Sequence, residues 1–354
     1  MALHTGTTAE PILGIRAARC WFPEKTRTPK DEVRTGNLTA EQAARHGDVT
    51  LHISRWWDTE SAPAMAVAAG RAALSASGVP GDAIGLLAYA WTNYQGNPFF
   101  TAAHCVAEGL DLPRSCAPVG IQQACNGAAM AFSLAAGQLR LGEHSHALIV
   151  AADRFEAPAV DHWRSHIMLA YGDGASAAVV GQPAPGDAFH LLAIEHVAAP
   201  ELWRTRDDYD GFGQQPALAP PYINAMPTTK FSDEGGRPRL RAVSHECITE
   251  AVDKALDRAR LAPGDPRIVR VLAPRLSDKV RELMIGPIEE KYSDRIVCHY
   301  SASGHLGAGD FLANIAEAET AGDLAPGDIV LVLGAGGGYS YTCAVLQVPQ
   351  ERAA

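Results

Sequence analysis

Cys125, His305 and Asp310 are the residues whose types and settings would support covalent chemistry. Cys125 lies in Gln122-Gln123-Ala124-Cys125-Asn126-Gly127-Ala128-Ala129-Met130, after a short apolar approach over residues 117–121 and before a run of small residues. The pattern reads as a strand-to-helix junction. Amide N–H groups at a helix start favour negative charge nearby, which is the setting of a nucleophilic thiol. A buried, inert free thiol is the other reading of the same residues. His305 sits in Ser303-Gly304-His305-Leu306-Gly307-Ala308-Gly309-Asp310, a glycine-rich turn before a helix. A general base needs an acceptor that orients its far nitrogen, and a buried carboxylate such as Asp310 fills that role. Taken singly, His305 reads as a turn histidine and Asp310 as a helix cap or first-turn acid. Together the three residues make a nucleophile, base and orienter set. The glycines of Gly336-Gly337-Gly338, between two apolar runs, let backbone approach a ligand or form a plain hairpin turn. Paired with the N–H of Cys125, the N–H of Gly337 would complete an oxyanion hole.

The elements that must position these residues follow from periodicity and breakers. Residues 12–22 read as a first strand, followed by a charged, irregular stretch to about residue 55. Residues 61–77 are an alanine-rich helix stopped by Gly78-Val79-Pro80-Gly81. Strands are expected over 84–91 and 147–153, a helix over 99–108, and a turn entering a strand from Tyr171-Gly172-Asp173-Gly174. Residues 181–187 read as a linker, after which the alternation restarts. Strands over 191–198 and 268–273 and helices over 243–261, 277–292 and 307–320 follow, with an irregular insertion over 203–238 and a break near Gly286-Pro287. A final hairpin pairs residues 329–333 with 339–346. Alternating strands and helices predict an α/β fold. The restart predicts two similarly built halves, 1–182 with the cysteine and 188–354 with the histidine, aspartate and glycine loop.

Composition narrows the function classes. The 354 residues carry a formal charge of −10 and no basic block, which argues against nucleic acid. Seven cysteines are scattered with no zinc-like spacing, which fits reduced thiols in a cytoplasmic enzyme. The N-terminal residues lack the basic and apolar regions of a signal peptide, and no apolar run approaches the roughly 18 residues of a membrane span.

In this order and at these distances, the Ala-Cys-Asn-Gly turn at Cys125, Tyr171-Gly172-Asp173-Gly174-Ala175, the 304–310 turn and Gly336-Gly337-Gly338 resemble the ketoacyl-ACP synthase III branch of the thiolase superfamily. The resemblance covers nearly the whole chain. It implies two thiolase-type halves in a five-layered αβαβα arrangement, a homodimer, no permanently bound cofactor, and an acyl thioester on Cys125 drawn from acyl-CoA or an acyl carrier protein. It also implies that Phe99 reaches the partner subunit's acyl pocket and that Gly337 belongs to the oxyanion hole. Condensing members of the family carry a His-Gln-Ala-Asn segment and, downstream, an asparagine in a Gly-Asn turn; that His and Asn stabilise the carbanion left by decarboxylation. Here the first slot falls near Ala273-Pro274-Arg275-Leu276, and His305 stands where the asparagine would be. What remains resembles a subgroup with a Cys-His-Asp triad, of the cervimycin malonyltransferase type, that moves acyl groups to oxygen or nitrogen acceptors such as a sugar on a polyketide glycoside.

Several further residues are candidates for substrate contacts. Arg154 would bind the free carboxylate of a malonyl group or form a salt bridge. Arg55 and Arg164 fall near positions that in the family meet the pantetheine or nucleotide. Lys230, Arg237, Arg239 and Arg241 form a basic cluster that would dock an acidic carrier or sit in solvent. Trp56, Trp57, Trp203, Tyr209 and Phe212 would wall a large aromatic acceptor or pack the rim. The competing expectations are a decarboxylative condensing enzyme, a non-catalytic acyl-binding partner subunit, and a thioesterase that uses water.

Overall fold

The computed structural model describes residues 8–55, 59–96, 99–142, 144–156, 160–206, 229–233 and 235–350. Trp56, Trp57, Tyr209 and Phe212, and the side chain of Lys230, lie outside the described residues.

The first half opens with β1 (Leu13–Trp21), then β2 (Thr26–Arg27), α1 (Pro29–Arg34), α2 (Ala40–Ala44) and β3 (Leu51–His52). The stretch expected to be irregular thus contains two short helices. Each begins in a capping box, Thr28 with Asp31 and Thr39 with Gln42, which satisfies two otherwise orphaned N–H groups. α3 (Ala62–Ser77) starts at the Ser61 cap and stops at Gly78, whose φ of 66° a residue with a side chain rarely adopts. β4 (Ile84–Ala90), α4 (Ala102–Gly109), β5 (Ala117–Ile121), α5 (Gly127–Arg140), β6 (His146–Asp153) and β7 (Gly174–Gly181) complete it.

The second half contains β8 (Phe189–Ala198), α6 (Thr229–Asp233), α7 (Gly236–Arg258), β9 (Ile268–Leu272), α8 (Asp278–Lys291), β10 (Ile296–Val297), α9 (Tyr300–Ser303), α10 (Asp310–Ala321), β11 (Ile329–Gly336) and β12 (Ser340–Gln347). The break expected near Gly286-Pro287 falls at Ile285, where φ is −134°. α7 starts earlier than its apolar pattern, because Pro238 sits in the first turn, where a missing N–H costs nothing.

Ten strands form one sheet in the order β10-β9-β11-β12-β8-β1-β7-β6-β4-β5. Counted over the strands that each half gives to this sheet, β2 and β3 forming a separate pair, the order from the centre outward is the same: first, fifth, fourth, second, third strand. The directions repeat too. In each half the first, fifth and fourth strands are antiparallel neighbours, and the fourth, second and third are parallel. The halves join where Leu13, Gly14 and Ile15 of β1 pair with Leu191, His190 and Phe189 of β8.

Three apolar clusters separate five layers. α3 and α4 cover one face of the first-half strands with Met65, Ala66, Ala69 and Val106. α7 and α8 cover the second-half strands with Ile248, Val252, Leu283 and Ile288. Between them α5 and α10 share a core with both sets of strands, where Phe132 and Phe311 meet edge to face at 5.8 Å. Burying a side chain of that size contributes about 1.5–3 kcal/mol. The alanines of α5 make the close middle-layer packing possible, with Ala128, Ala131 and Ala135 fully buried. The alternation of strands and helices predicts the α/β class, and the layering is the thiolase-like αβαβα arrangement that the resemblance implies. α5 and α10 occupy equivalent places, each following the third strand of its half and leading into the fourth.

Candidate active site

Cys125 sits between the end of β5 and the start of α5 and is partly exposed. The turn is tight: Asn126 N–H donates to the Gln123 carbonyl at 3.2 Å and Gly127 N–H to the Ala124 carbonyl at 3.1 Å. Ala124 has φ 44°, a left-handed conformation costing an L-residue about 1–2 kcal/mol. Strain of that kind is held only where the surroundings fix the backbone. Here Asn126 does so: it is fully buried, and its amide donates to Ser340 Oγ at 3.1 Å and Thr342 Oγ1 at 2.8 Å on β12. β11 presses on the same turn. A Cβ on Gly336 would stand 2.7 Å from Asn126 N, and one on Gly334 2.3 Å from Asn126 Oδ1. These glycines therefore serve close approach within a strand that runs to Gly336, and only Gly337 and Gly338 remain in the turn.

His305 comes from the turn between α9 and α10. Its Nε2 is 3.0 Å from Cys125 Sγ, and its Nδ1–H donates to Asp310 Oδ2 at 2.7 Å. The turn is clamped to the Tyr171 segment: His305 N–H donates to the Ala170 carbonyl at 2.9 Å, and Gly172 N–H to the His305 carbonyl at 3.0 Å. The Tyr171 ring lies 5.6 Å from the imidazole, centre to centre. Gly172 has no room for a side chain, because a Cβ there would stand 1.9 Å from the Ser303 carbonyl oxygen. Asp310, the first residue of α10, accepts two more N–H bonds, from Leu306 at 2.8 Å and from Arg275 at 2.9 Å. Three donors thus fix its carboxylate, and the aspartate is both a first-turn acid and the partner of His305. Burial alone would push the His305 imidazole down. The charges of Asp310 and Cys125 and its hydrogen bonds to both outweigh burial and hold it well above its usual value.

Two buried acids that sequence reasoning missed frame the pair. Asp153, at the end of β6, is fully buried and accepts N–H bonds from Thr92 (2.8 Å), Asn93 (2.7 Å) and Ala308 (2.9 Å). Burial pushes its carboxyl up to about 6, against the pull of those bonds and of His305. Asp173 accepts from Ser54 N–H, Phe155 N–H and His162 Nε2 at 2.8, 2.8 and 3.1 Å. Both acids are anchors for loops. Their roles come from backbone donors distant in sequence; the only signal available was an acid at a strand end and another inside a glycine turn.

The remaining candidates lie in several settings. Arg154 is buried beside Asp153 and forms an ion pair with Glu156 at 3.1 Å. Arg164 pairs with Asp161 at 3.0 Å and lines a pocket of about 110 Å³ with His46 and Trp163. Arg55 is exposed, its N–H bonded to Glu60. Phe99 is 95% exposed and Trp203 52% exposed. Arg237, Arg239 and Arg241 are exposed on α7, with Arg241 paired to Glu282. Among the described residues, no group of three or more His, Cys, Asp or Glu is arranged to hold a metal ion. None of the described helices is long and apolar enough to cross a membrane.

Comparison with known proteins shows likenesses over most of the chain. Residues 119–196 match the family model for 3-oxoacyl-[acyl-carrier-protein] synthase III, and residues 275–348 match the model for its C-terminal part. Over these two regions the chain is similar to the synthase III branch of the thiolase superfamily. The mycobacterial β-ketoacyl-[acyl-carrier-protein] synthase III of Mycobacterium tuberculosis is 26% identical over 349 residues, covering 97% of this chain and 98% of that protein. Among solved structures, the acyltransferase ChlB3 superposes with a TM-score of 0.81 at 29% identity, covering 95% of this chain and 98% of ChlB3. The 3-oxoacyl-[acyl-carrier-protein] synthase III of Aquifex aeolicus gives 0.75 at 21% identity, over 95% and 99% of the two chains, a likeness of fold alone.

Proposed function

We propose that this synthase III-like protein is an acyltransferase that takes an acyl group from coenzyme A or an acyl carrier protein onto Cys125 and passes it to a hydroxyl or amine. The observation that carries this reading is the contact of His305 with Cys125 on one side and Asp310 on the other. A histidine held between a thiol and a carboxylate moves protons; it does not leave the site arranged to stabilise a carbanion. The slot at 273–276, where condensing relatives carry a histidine, holds Arg275, whose side chain is fully buried.

The chemistry follows from these groups. His305 Nε2 takes the Cys125 proton, and the thiolate attacks the thioester carbonyl. The N–H groups of Cys125 and Gly337 receive the developing oxyanion. The carrier sulfur leaves with the proton from His305, and the acyl group remains on Cys125. The acceptor O–H or N–H then gives its proton to His305 and attacks the acyl-enzyme, and Cys125 departs and is reprotonated by His305. Asp310 keeps Nδ1 protonated, so that Nε2 is free to accept, and balances the imidazolium in each step. No permanent cofactor is required.

The finer reading has the malonyl group as cargo, a sugar hydroxyl of a secondary metabolite as acceptor, a homodimer as the working form with Phe99 at the partner's acyl pocket, and Arg55 and Arg164 at the donor's carrier arm. Arg154 supports a dicarboxylic donor as a buried cation, although Glu156 shares its charge. The second reading, a decarboxylative condensing enzyme, is favoured by the names of the 26%-identical relatives.

Intact-mass measurement after incubation with malonyl-CoA and other thioesters tests the proposal. An adduct that Cys125→Ala abolishes and that an alcohol or amine acceptor discharges without carbon dioxide release is the expected result. Carbon dioxide release coupled to a new carbon–carbon bond would favour the second reading, and absence of any adduct would remove both.

A further inference from the structure

Arg275 is the largest fully buried side chain among the described residues, at 0% exposure. Every arm of its guanidinium is engaged. Nε donates to Asn314 Oδ1 at 3.1 Å, Nη1 to Ser303 Oγ at 2.8 Å, and Nη2 to Glu317 Oε1 at 2.7 Å. Its backbone N–H donates to Asp310 Oδ2, the same oxygen that accepts from His305. Asp310, Asn314 and Glu317 are spaced four and three residues apart and so share one face of α10. The 273–276 loop lies along that face, and Asn314 returns a bond to the Ala273 carbonyl at 2.8 Å. Ser303, bonded onward to the Gly304 carbonyl at 2.9 Å, is two residues from His305. Glu317 also accepts from His299 Nδ1 at 2.6 Å. Burial would push its carboxyl up, but the bonds and charges of His299 and Arg275 hold it below the usual range. Cys20, pushed up to about 12 by burial, also feels the charges of Arg275 and Glu317.

A buried ion pair of this kind adds little net stability, because desolvation offsets attraction; what it supplies is geometry. Here the geometry belongs to three segments at once: the loop that gives Asp310 an N–H, the turn that carries His305, and the helix that begins with Asp310. We propose that Arg275 is a positioning residue, one that fixes the Asp310 carboxylate and the His305 turn relative to each other and thereby aims Nε2 at Cys125. The inference rests on the acyl-transfer reading only for what the aimed histidine does next. The slot that condensing relatives give to a histidine is used in this chain to brace the base from behind.

The test separates bracing from packing, and separates both from the acyl-transfer reading, because it uses alkylation of Cys125 by iodoacetamide at pH 7 and needs no acyl donor. Thiolate, not thiol, is the reactive form, so the rate reports the Cys125–His305 contact. Arg275→Met should slow alkylation about tenfold and weaken the low-field proton resonance of His305 Nδ1–H. Arg275→Lys, which keeps the charge but not the fork, should recover part of the rate. Ser303→Ala removes one arm's acceptor at little risk to folding and should slow alkylation about threefold. A folded Arg275→Met protein with lowered Tm but wild-type alkylation rate and resonance would reduce Arg275 to packing and overturn the proposal. Where Arg275→Met does not fold, Ser303→Ala decides: slowed alkylation upholds the proposal, and a wild-type rate overturns it.

Discussion

Replacing Asp310 by asparagine sets the orienting role of one carboxylate against its structural role. Asp310 accepts three bonds: His305 Nδ1–H and Arg275 N–H on Oδ2, and Leu306 N–H on Oδ1. A carboxamide has one accepting oxygen and one donating nitrogen, and neither orientation fits. With oxygen toward His305 and Arg275, its NH2 meets the Leu306 N–H. With NH2 toward His305, the Arg275 N–H loses its acceptor and Nδ1 must become the bare nitrogen. The proton then moves to Nε2 and points at Cys125, so the base is gone. Leaving one buried donor unmet costs about 1–3 kcal/mol of stability. Loss of the correct tautomer and of the imidazolium's counter-charge should slow Cys125 acylation by about 10²–10⁴, equivalent to roughly 3–5 kcal/mol of barrier. The stability deficit should also depend on pH. Because the folded-state His305 value lies above its unfolded value, its contribution is complete below about pH 6.5 and fades as pH rises through the folded value. The Asn variant loses that contribution, so its deficit should narrow toward alkaline pH. Stopped-flow release of coenzyme A thiol gives the acylation rate, and thermal unfolding between pH 6 and 9 gives the stability. An Asp310→Asn protein that acylates within threefold of wild type would show that Asp310 does not orient the base.

Two other substitutions probe separate parts of the site. Arg154→Ala should reduce kcat/KM for malonyl-CoA at least tenfold more than for acetyl-CoA, and equal losses would deny it a carboxylate-binding role. Asp153 has its folded value raised from 3.8 to about 6, so its charge opposes folding: stability falls as pH climbs through that window, the reverse of an ordinary paired acid. Asp153→Asn removes this titration but cannot serve three N–H donors. Its stability deficit should therefore shrink by about 2–3 kcal/mol between pH 4 and pH 7, and a deficit independent of pH in denaturant titrations would contradict the assignment.

Where local chemistry and element boundaries coincided, the chain was readable. Ser61 and Gly78 bracket α3 by cap and left-handed stop, and Pro287 announces the break in α8. Charge hid other boundaries. α1 and α2 lie in a polar stretch marked only by their capping boxes, and the arginines of 237–241 disguise the first turn of α7. The same division runs through the site. Cys125, His305 and Asp310 are residue types whose chemistry singles them out. The groups that hold them are recognisable only from what the fold brings to them: Asp153 by the 92–93 and 308 amides, Asn126 by Ser340 and Thr342, Arg275 by the face of α10. Hydrogen-bond partners across 30 to more than 200 positions leave no periodic trace in a single chain.

The repeated strand order has a consequence for how activity is lost. Cys125 precedes α5 and His305 precedes α10, and these are corresponding junctions of the two halves. The thiol–imidazole contact is therefore a seam, with one member supplied by each repeat and a gap of 3.0 Å between them. Neither repeat alone holds both the thiol and the imidazole. A slip of one repeat against the other by a fraction of a residue length would leave both cores folded and part the sulfur from its base. Inactivation by heat or mild denaturant should then run ahead of unfolding. The thiol–imidazole distance acts as a vernier on the registry of the two repeats, reading displacements too small to expose a core or melt a strand.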